Sequence, residues 1–148
     1  MRSFHFRLES VLGWRRTELA AEEARLGPLV MERNRLEAAR IEVAAARDRT
    51  RRELLAATYL EGRDLAAHAA FRARLAKEQE ALAQQSAECR DRMAKQRTRI
   101  IEAQRKVRLL EKLKERRSQE WHTLWNREVE NFASESYLAR WNAGNGRG

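Results

Sequence analysis

Few side chains in this chain are of the kind that do chemistry. The histidines, His5, His68 and His122, are scattered and have no ligand partners at metal spacing. His5 and His122 are the pair that a folded-back chain would bring together, and two imidazoles fall short of a zinc site. Cys89 is the single cysteine, so no internal disulfide can form, which fits a reducing compartment. It falls where a helical seam wants a small apolar residue, and nothing marks it as a nucleophile. There is no P-loop and no glycine-rich phosphate cradle. Carboxylates recur on every turn of such a sequence and single out no catalytic pair. We therefore expect no catalytic residue, no bound cofactor and no metal, and a protein that is not an enzyme.

The side chains that stand out are suited to recognition. In RRSQEWHTLWNRE, Arg116 to Glu128, two tryptophans lie four apart in a polar run. Trp121, Leu124 and Trp125 share one helical face at i, i+3 and i+4. Trp121 is expected to cover the aromatic N-terminal FHF, and Trp125 to await another protein, because tryptophan is enriched at binding hot spots. Phe132, Tyr137 and Trp141 continue the aromatic content. RKVRLLEKLKERR, Arg105 to Arg117, is a basic block interrupted by Glu111 and Glu115. It reads as a solvated face or as a footprint for an acidic protein. No RNA-binding motif or stacking platform accompanies it. Phe71 and Leu75 lie one turn apart, either as core or as a docking knob.

The background is strongly helical. Of 148 residues, 36% are charged, six are glycine and one is proline. That composition points to long helices. The net charge of +9, with a pI near 10.7, favours acidic partners, whether nucleic acid or protein. The N-terminus lacks the apolar core of a signal peptide, and no window reaches the ~20 apolar residues of a membrane span. A soluble, cytoplasmic protein is expected.

Leu12, Leu19 and Leu26 repeat every seventh residue, Leu8, Leu29, Leu36 and Val43 form the companion row, and Leu54 rejoins the first. Two such rows are the a and d positions of a coiled-coil seam. Arg15, Glu22, Arg33, Arg40 and Arg47 dilute it. Gly27-Pro28 interrupts the helix, yet the leucines stay in phase across it, so a kink near Pro28 is expected rather than a break. Gly62 suits a left-handed helix C-terminus and Asp64 the N-cap of the next helix. The prediction is an all-α fold: a long antiparallel two-helix coiled coil, an α-hairpin forming a single domain over residues 1–148. The first helix spans 4–58, the turn 59–64 and the second helix 65–134, with a disordered tail over 142–148. Cys89, Met93, Gln96, Ile100, Ala103, Val107 and Leu110 carry the second seam, and Trp121 and Leu124 continue it past Lys114 and Arg117. With the turn near Gly62, residue i faces roughly residue 124 − i, so the second helix outruns the first by about 15 residues, or roughly 20 Å.

Two stretches resemble one family. FHFRLESVLGWRRTE is similar to the opening of flagellar FliJ proteins: aromatic–x–aromatic, leucines at helix spacing, an arginine pair and an acid. KVRLLEKLKERRSQEWHTLWNREVENF looks like the family's second-helix signature, and Gly62 followed by FRARL falls where that family turns and restarts. The resemblance covers most of the chain. It implies a cytoplasmic stalk of the flagellar type III protein export apparatus, peripheral at its base. Such a stalk inserts the end bearing both termini into the ring of the export ATPase hexamer, promotes its assembly and activity, and contacts the membrane export-gate protein and some substrate chaperones. Related stalks serve injectisomes. By this resemblance Phe4, Leu8, Arg15, Arg116, Trp121, Trp125 and Arg127 are candidates for the ATPase end, and Phe71 and Leu75 for the export gate. The alternatives are a basic coiled coil that binds nucleic acid through Arg105–Arg117, or a structural protein that self-associates.

Overall fold

A computed structural model describes residues 3–146. Among the described residues there are two helices, α1 (Glu9–Ala56) and α2 (Gly62–Asn145), and no strand. The protein is an all-α two-helix hairpin with the longer helix second. Contacts divide the chain into unit 1, Met1–Leu19 with Ala103–Gly148, and unit 2, Ala20–Glu102.

Unit 2 contains the reversal. Leu36, Val43, Leu75, Leu82, Cys89 and Met93 form its core, with Leu26, Leu29, Val30, Ala39 and Ala46 packed against them. The pairing is antiparallel: the Cys89 thiol faces the Leu29 carbonyl at 3.5 Å, and Arg47 donates to Gln79. Gln96, also buried, donates to the Glu22 carboxylate at 2.6 Å and to the Glu22 carbonyl at 2.9 Å. Thr50 is buried without cost because its hydroxyl donates to the Ala46 carbonyl one turn back.

α1 runs through Pro28 without interruption. Proline removes one i→i−4 donor, which frees the carbonyl of Ala24. Ala24, Gly27 and Pro28 are all exposed, so water takes that carbonyl, while Leu26 and Leu29 hold the turn from the inner side. Past the proline one row of the seam moves back by one residue. Glu32, Ala39 and Ala46 face inward, and Arg33, Arg40 and Arg47, expected on the seam, are exposed. Alanine lets the helices close at those levels, and the neighbouring arginines reach water without crossing the core.

The connection is Ala57–Glu61. Gly62 does not close α1 in a left-handed conformation, since no described residue has positive φ; it opens α2 instead. The Glu61 carbonyl accepts from the amides of Asp64 and Leu65 at 3.0 and 3.1 Å. Asp64 therefore sits inside the first turn, where its charge faces the positive end of the helix dipole, and not at the N-cap.

In unit 1 the chain starts as a non-helical arm, Ser3–Phe6, and α1 begins at Glu9 and not at Phe4. In a non-helical arm, residues two apart can point the same way, whereas in a helix they diverge. Phe4 and Phe6 accordingly both turn inward: Phe6 is buried and Phe4 half-buried. Leu12, Ala103 and Val107 complete the buried set of this unit. Lys114 pairs with Glu9 at 2.8 Å and Arg16 with Glu111 at 3.0 Å, again antiparallel. α2 extends to Asn145, well beyond residue 134, so residues 142–145 of the expected disordered tail are helical; residues 147–148 of it lie outside the described residues.

Candidate protein-binding surface

The aromatic arm and the tryptophan pair meet in unit 1. The Phe4 and Trp121 rings lie 6.3 Å apart, tilted by 54°. Trp121 and Trp125 stack with centroids 5.8 Å apart and planes within 5°. His122 stands edge-on to Trp121 at 5.0 Å. A cleft of 630 Å³ opens between the arm and α2, floored by Phe4, Phe6, Leu8, Leu113, Trp121 and Leu124 and rimmed by His5, Arg7, Arg117 and Glu120. Its floor is apolar, and on its rim Arg7 stands unpaired while Arg117 is matched by Glu120, which suits an apolar side chain of a partner.

The expected residues fall into groups. Phe4, Leu8 and Trp121 line the cleft together. Trp125 lies half-buried on the stack beside it. Arg116 lines a separate shallow groove with Thr123 and Leu124. Arg127 is exposed and lies outside both. Arg15 is engaged locally: it pairs with Glu18 at 2.9 Å and its guanidinium lies 4.5 Å over the Trp14 ring.

The seam changes phase before the tryptophans. Inward positions on α2 run Val107, Leu110, Lys114, Ser118, Trp121 and Trp125, with two consecutive steps of four. An extra four-residue step of this kind unwinds a heptad seam toward an eleven-residue repeat. The consequence is that Leu124, expected on the seam, is 60% exposed, while Trp125 is the half-buried member. Sequence spacing alone missed this shift. Ser118 was its one signal, a small neutral residue at the inward level beside charged Arg117.

Past Trp125 the exposed apolar residues are Val129, Phe132, Tyr137, Leu138 and Trp141, all on α2. Phe132 is 72% exposed, far above what a packed phenylalanine shows. Trp14 on α1 is also exposed, an open aromatic that spacing did not single out.

In unit 2, Phe71 and Leu75 separate. Leu75 is only 5% exposed and sits in the core cluster, so it cannot serve as a docking contact. Its i+7 relation to Leu82 places both on the inner row. Phe71 stays at the edge, with the Arg74 guanidinium 5.2 Å from its ring.

The basic block of α2 is partly tied up: Glu111, Lys114 and Arg117 all have ion-pair partners, Arg16, Glu9 and Glu120. Arg105, Lys106, Arg108, Lys112 and Arg116 have no ion-pair partner among the described residues, so the pairings leave the solvated-face reading and the acidic-partner reading both open. Among the described residues no three His, Cys, Asp or Glu side chains gather as metal ligands, and no helix is long and apolar enough to cross a membrane.

No known protein family, curated protein or solved structure matches this chain.

Proposed function

We propose that this protein is a stalk of a type III protein export apparatus, of the flagellar kind its sequence resembles, acting in the cytoplasm at the base of the apparatus as a binder and not as an enzyme. One observation carries the reading. On α2, beyond the contact of Phe4 with Trp121, the helix continues with Phe132, Tyr137, Leu138 and Trp141 in the open. Exposed aromatics on a helix, next to an apolar cleft, are the elements of a protein-binding end.

In this reading unit 1 enters the export ATPase ring. Phe4, Leu8 and Trp121 offer the cleft, Trp125 the edge of its stack, and Arg116 and Arg127 flanking charge. Arg15 serves to hold Trp14 and Glu18 more than to reach the ring. The chain hydrolyses nothing; it biases the ring by binding one of its states more tightly than another. The export-gate contact near the turn then falls to Phe71, without Leu75. Contact with substrate chaperones rests on the family resemblance alone.

The test is co-purification with a hexameric export ATPase, with and without nucleotide. The wild type is expected to bind and to raise ATPase assembly, and Trp125→Ala to weaken binding while helicity persists. Absence of binding in either nucleotide condition overturns the reading.

A further inference from the structure

A second concave surface lies in unit 2, near the reversal. A groove of 440 Å³ opens between α1 and α2, and its walls include Arg47, Arg51, Arg72, Asp48, Leu54 and Leu55. Three guanidinium groups thus stand around two leucines, with one carboxylate against them. We infer that this groove docks an acidic amphipathic segment of another protein, its carboxylates on Arg47, Arg51 and Arg72 and its apolar face on Leu54 and Leu55.

The charges are free to take a partner. Arg51 and Arg72 make neither an ion pair nor a side-chain hydrogen bond among the described residues. Arg47 reaches only the neutral amide oxygen of Gln79. Elsewhere on α1, Arg15, Arg16, Arg25, Arg35 and Arg40 each hold a glutamate, while Arg33, Arg49 and Arg52 hold none. What sets the groove apart is that unpaired guanidinium groups from both helices stand beside the exposed Leu55, and planar guanidinium forks fit carboxylates in pairs of hydrogen bonds.

Spacing narrows the partner. Arg47 and Arg51 are four residues apart, about 6 Å along the helix, and a partner helix with carboxylates at i and i+4 repeats that interval. The apolar floor argues against nucleic acid. Leu55 is 75% exposed and gives a phosphodiester nothing, whereas an amphipathic helix covers it. This inference stands apart from the ATPase reading, which concerns unit 1.

The probe is a synthetic helix of about 18 residues with leucines on one face and glutamates at i, i+4 beside it, followed by fluorescence anisotropy at physiological salt. A scrambled peptide of equal composition and a short DNA duplex serve as the other arms. Wild type should bind the patterned peptide at least about tenfold more tightly than the scrambled one. Arg51→Glu and Arg72→Glu should each weaken it about tenfold, and Leu55→Ser about fivefold. Arg97→Glu, an equal charge change at an exposed site outside the groove, should leave it within about twofold. Circular dichroism checks that every variant stays helical. Equal loss in Arg97→Glu, equal binding of the scrambled peptide, or tighter binding of the duplex with the same arginine dependence each overturns the inference.

Discussion

In unit 2 the inward positions are filled by aliphatic and sulfur side chains, Leu36, Val43, Leu75, Leu82, Cys89 and Met93, with alanines Ala39 and Ala46 between them. In unit 1 the buried set is smaller: Phe6, Leu12, Ala103 and Val107, capped by Phe4, Trp121 and Trp125, which stay half-exposed. Small residues between large ones let two helices interlock, and the result is a seam that uses up its own apolar surface. The stacked indoles of Trp121 and Trp125 are only half-covered, so unit 1 keeps apolar area in contact with water. The contrast is one of purpose: unit 2 holds the hairpin together, and unit 1 offers a surface.

Core truncation is the strongest way to break that contrast. Leu36 and Leu12 are both fully buried. Leu36→Ala is expected to cost about 3 kcal/mol, because Leu36 is fully buried within the aliphatic core of unit 2. Leu12→Ala should cost less, about 2 kcal/mol, since the looser aromatic end can collapse into the gap. Urea unfolding followed by circular dichroism measures both. Equal losses would mean that unit 1 is packed as tightly as unit 2.

Two changes at about 2 kcal/mol sharpen it from opposite sides. Pro28→Ala restores a helical donor to Ala24 in the middle of α1 and should stabilise the protein by about 2 kcal/mol. A loss of stability there would show that the one-residue shift of the seam after Pro28 depends on the proline. Trp125→Ala should leave the unfolding midpoint nearly unchanged and, on the function proposed above, weaken binding to the export ATPase by about 2 kcal/mol. If it instead destabilises the fold and spares binding, Trp125 belongs to the packing and not to the surface.

The sequence made the helices and their antiparallel pairing legible, because leucines at seven-residue spacing admit few other folds. Two phase changes escaped it. After Pro28 the seam prefers Ala39 and Ala46 to the arginines beside them, and heptad counting cannot weigh an alanine that permits close approach against an arginine that snorkels. After Lys114 the extra four-residue step moved the half-buried place from Leu124 to Trp125. At the candidate surface the contact of Trp121 with Phe4 could be foreseen from types and spacing, and the stacking of Trp125 on Trp121 could not. The burial of Leu75 was legible too, in its seven-residue spacing to Leu82, and it told against the docking role the resemblance implied for it. The groove around Arg51 and Arg72 was hidden for a further reason: its residues come from two helices and share no motif.

Glycine replacement probes each unit more gently. Gly13, in unit 1, and Gly27, in unit 2, both lie inside α1 with open space where a Cβ would go. Gly13→Ala and Gly27→Ala should each stabilise by about 0.5–1 kcal/mol through lost freedom of the unfolded chain. Thermal unfolding of the two variants checks this. A smaller gain at Gly27 would mean that the turn before Pro28 holds a geometry that glycine favours.

The smallest effect concerns the polar layer in the seam of unit 2. The Glu22 carboxyl is held below the usual carboxylate range, first by the hydrogen bond from Gln96 and then by Arg25 and Arg99, against the opposing pull of desolvation. Glu32 is lowered in the same way, chiefly by Arg35. A group whose pKa is depressed on folding contributes stability that is complete above its unfolded pKa and is lost as pH falls through the folded value. Stability should therefore decline as pH drops from about 5 to about 3, alongside the general titration of carboxylates. Gln96→Met keeps the buried volume and removes the hydrogen bond to Glu22. In that variant the decline should be shallower, while Glu32→Gln should flatten a separate part of it. Urea midpoints measured across this range separate the two contributions. An unchanged slope in Gln96→Met would mean that Arg25 and Arg99, which lie outside the buried layer, hold the Glu22 charge by themselves. The layer would then act only to fix the register of the two helices, as single buried polar residues do in other helical seams.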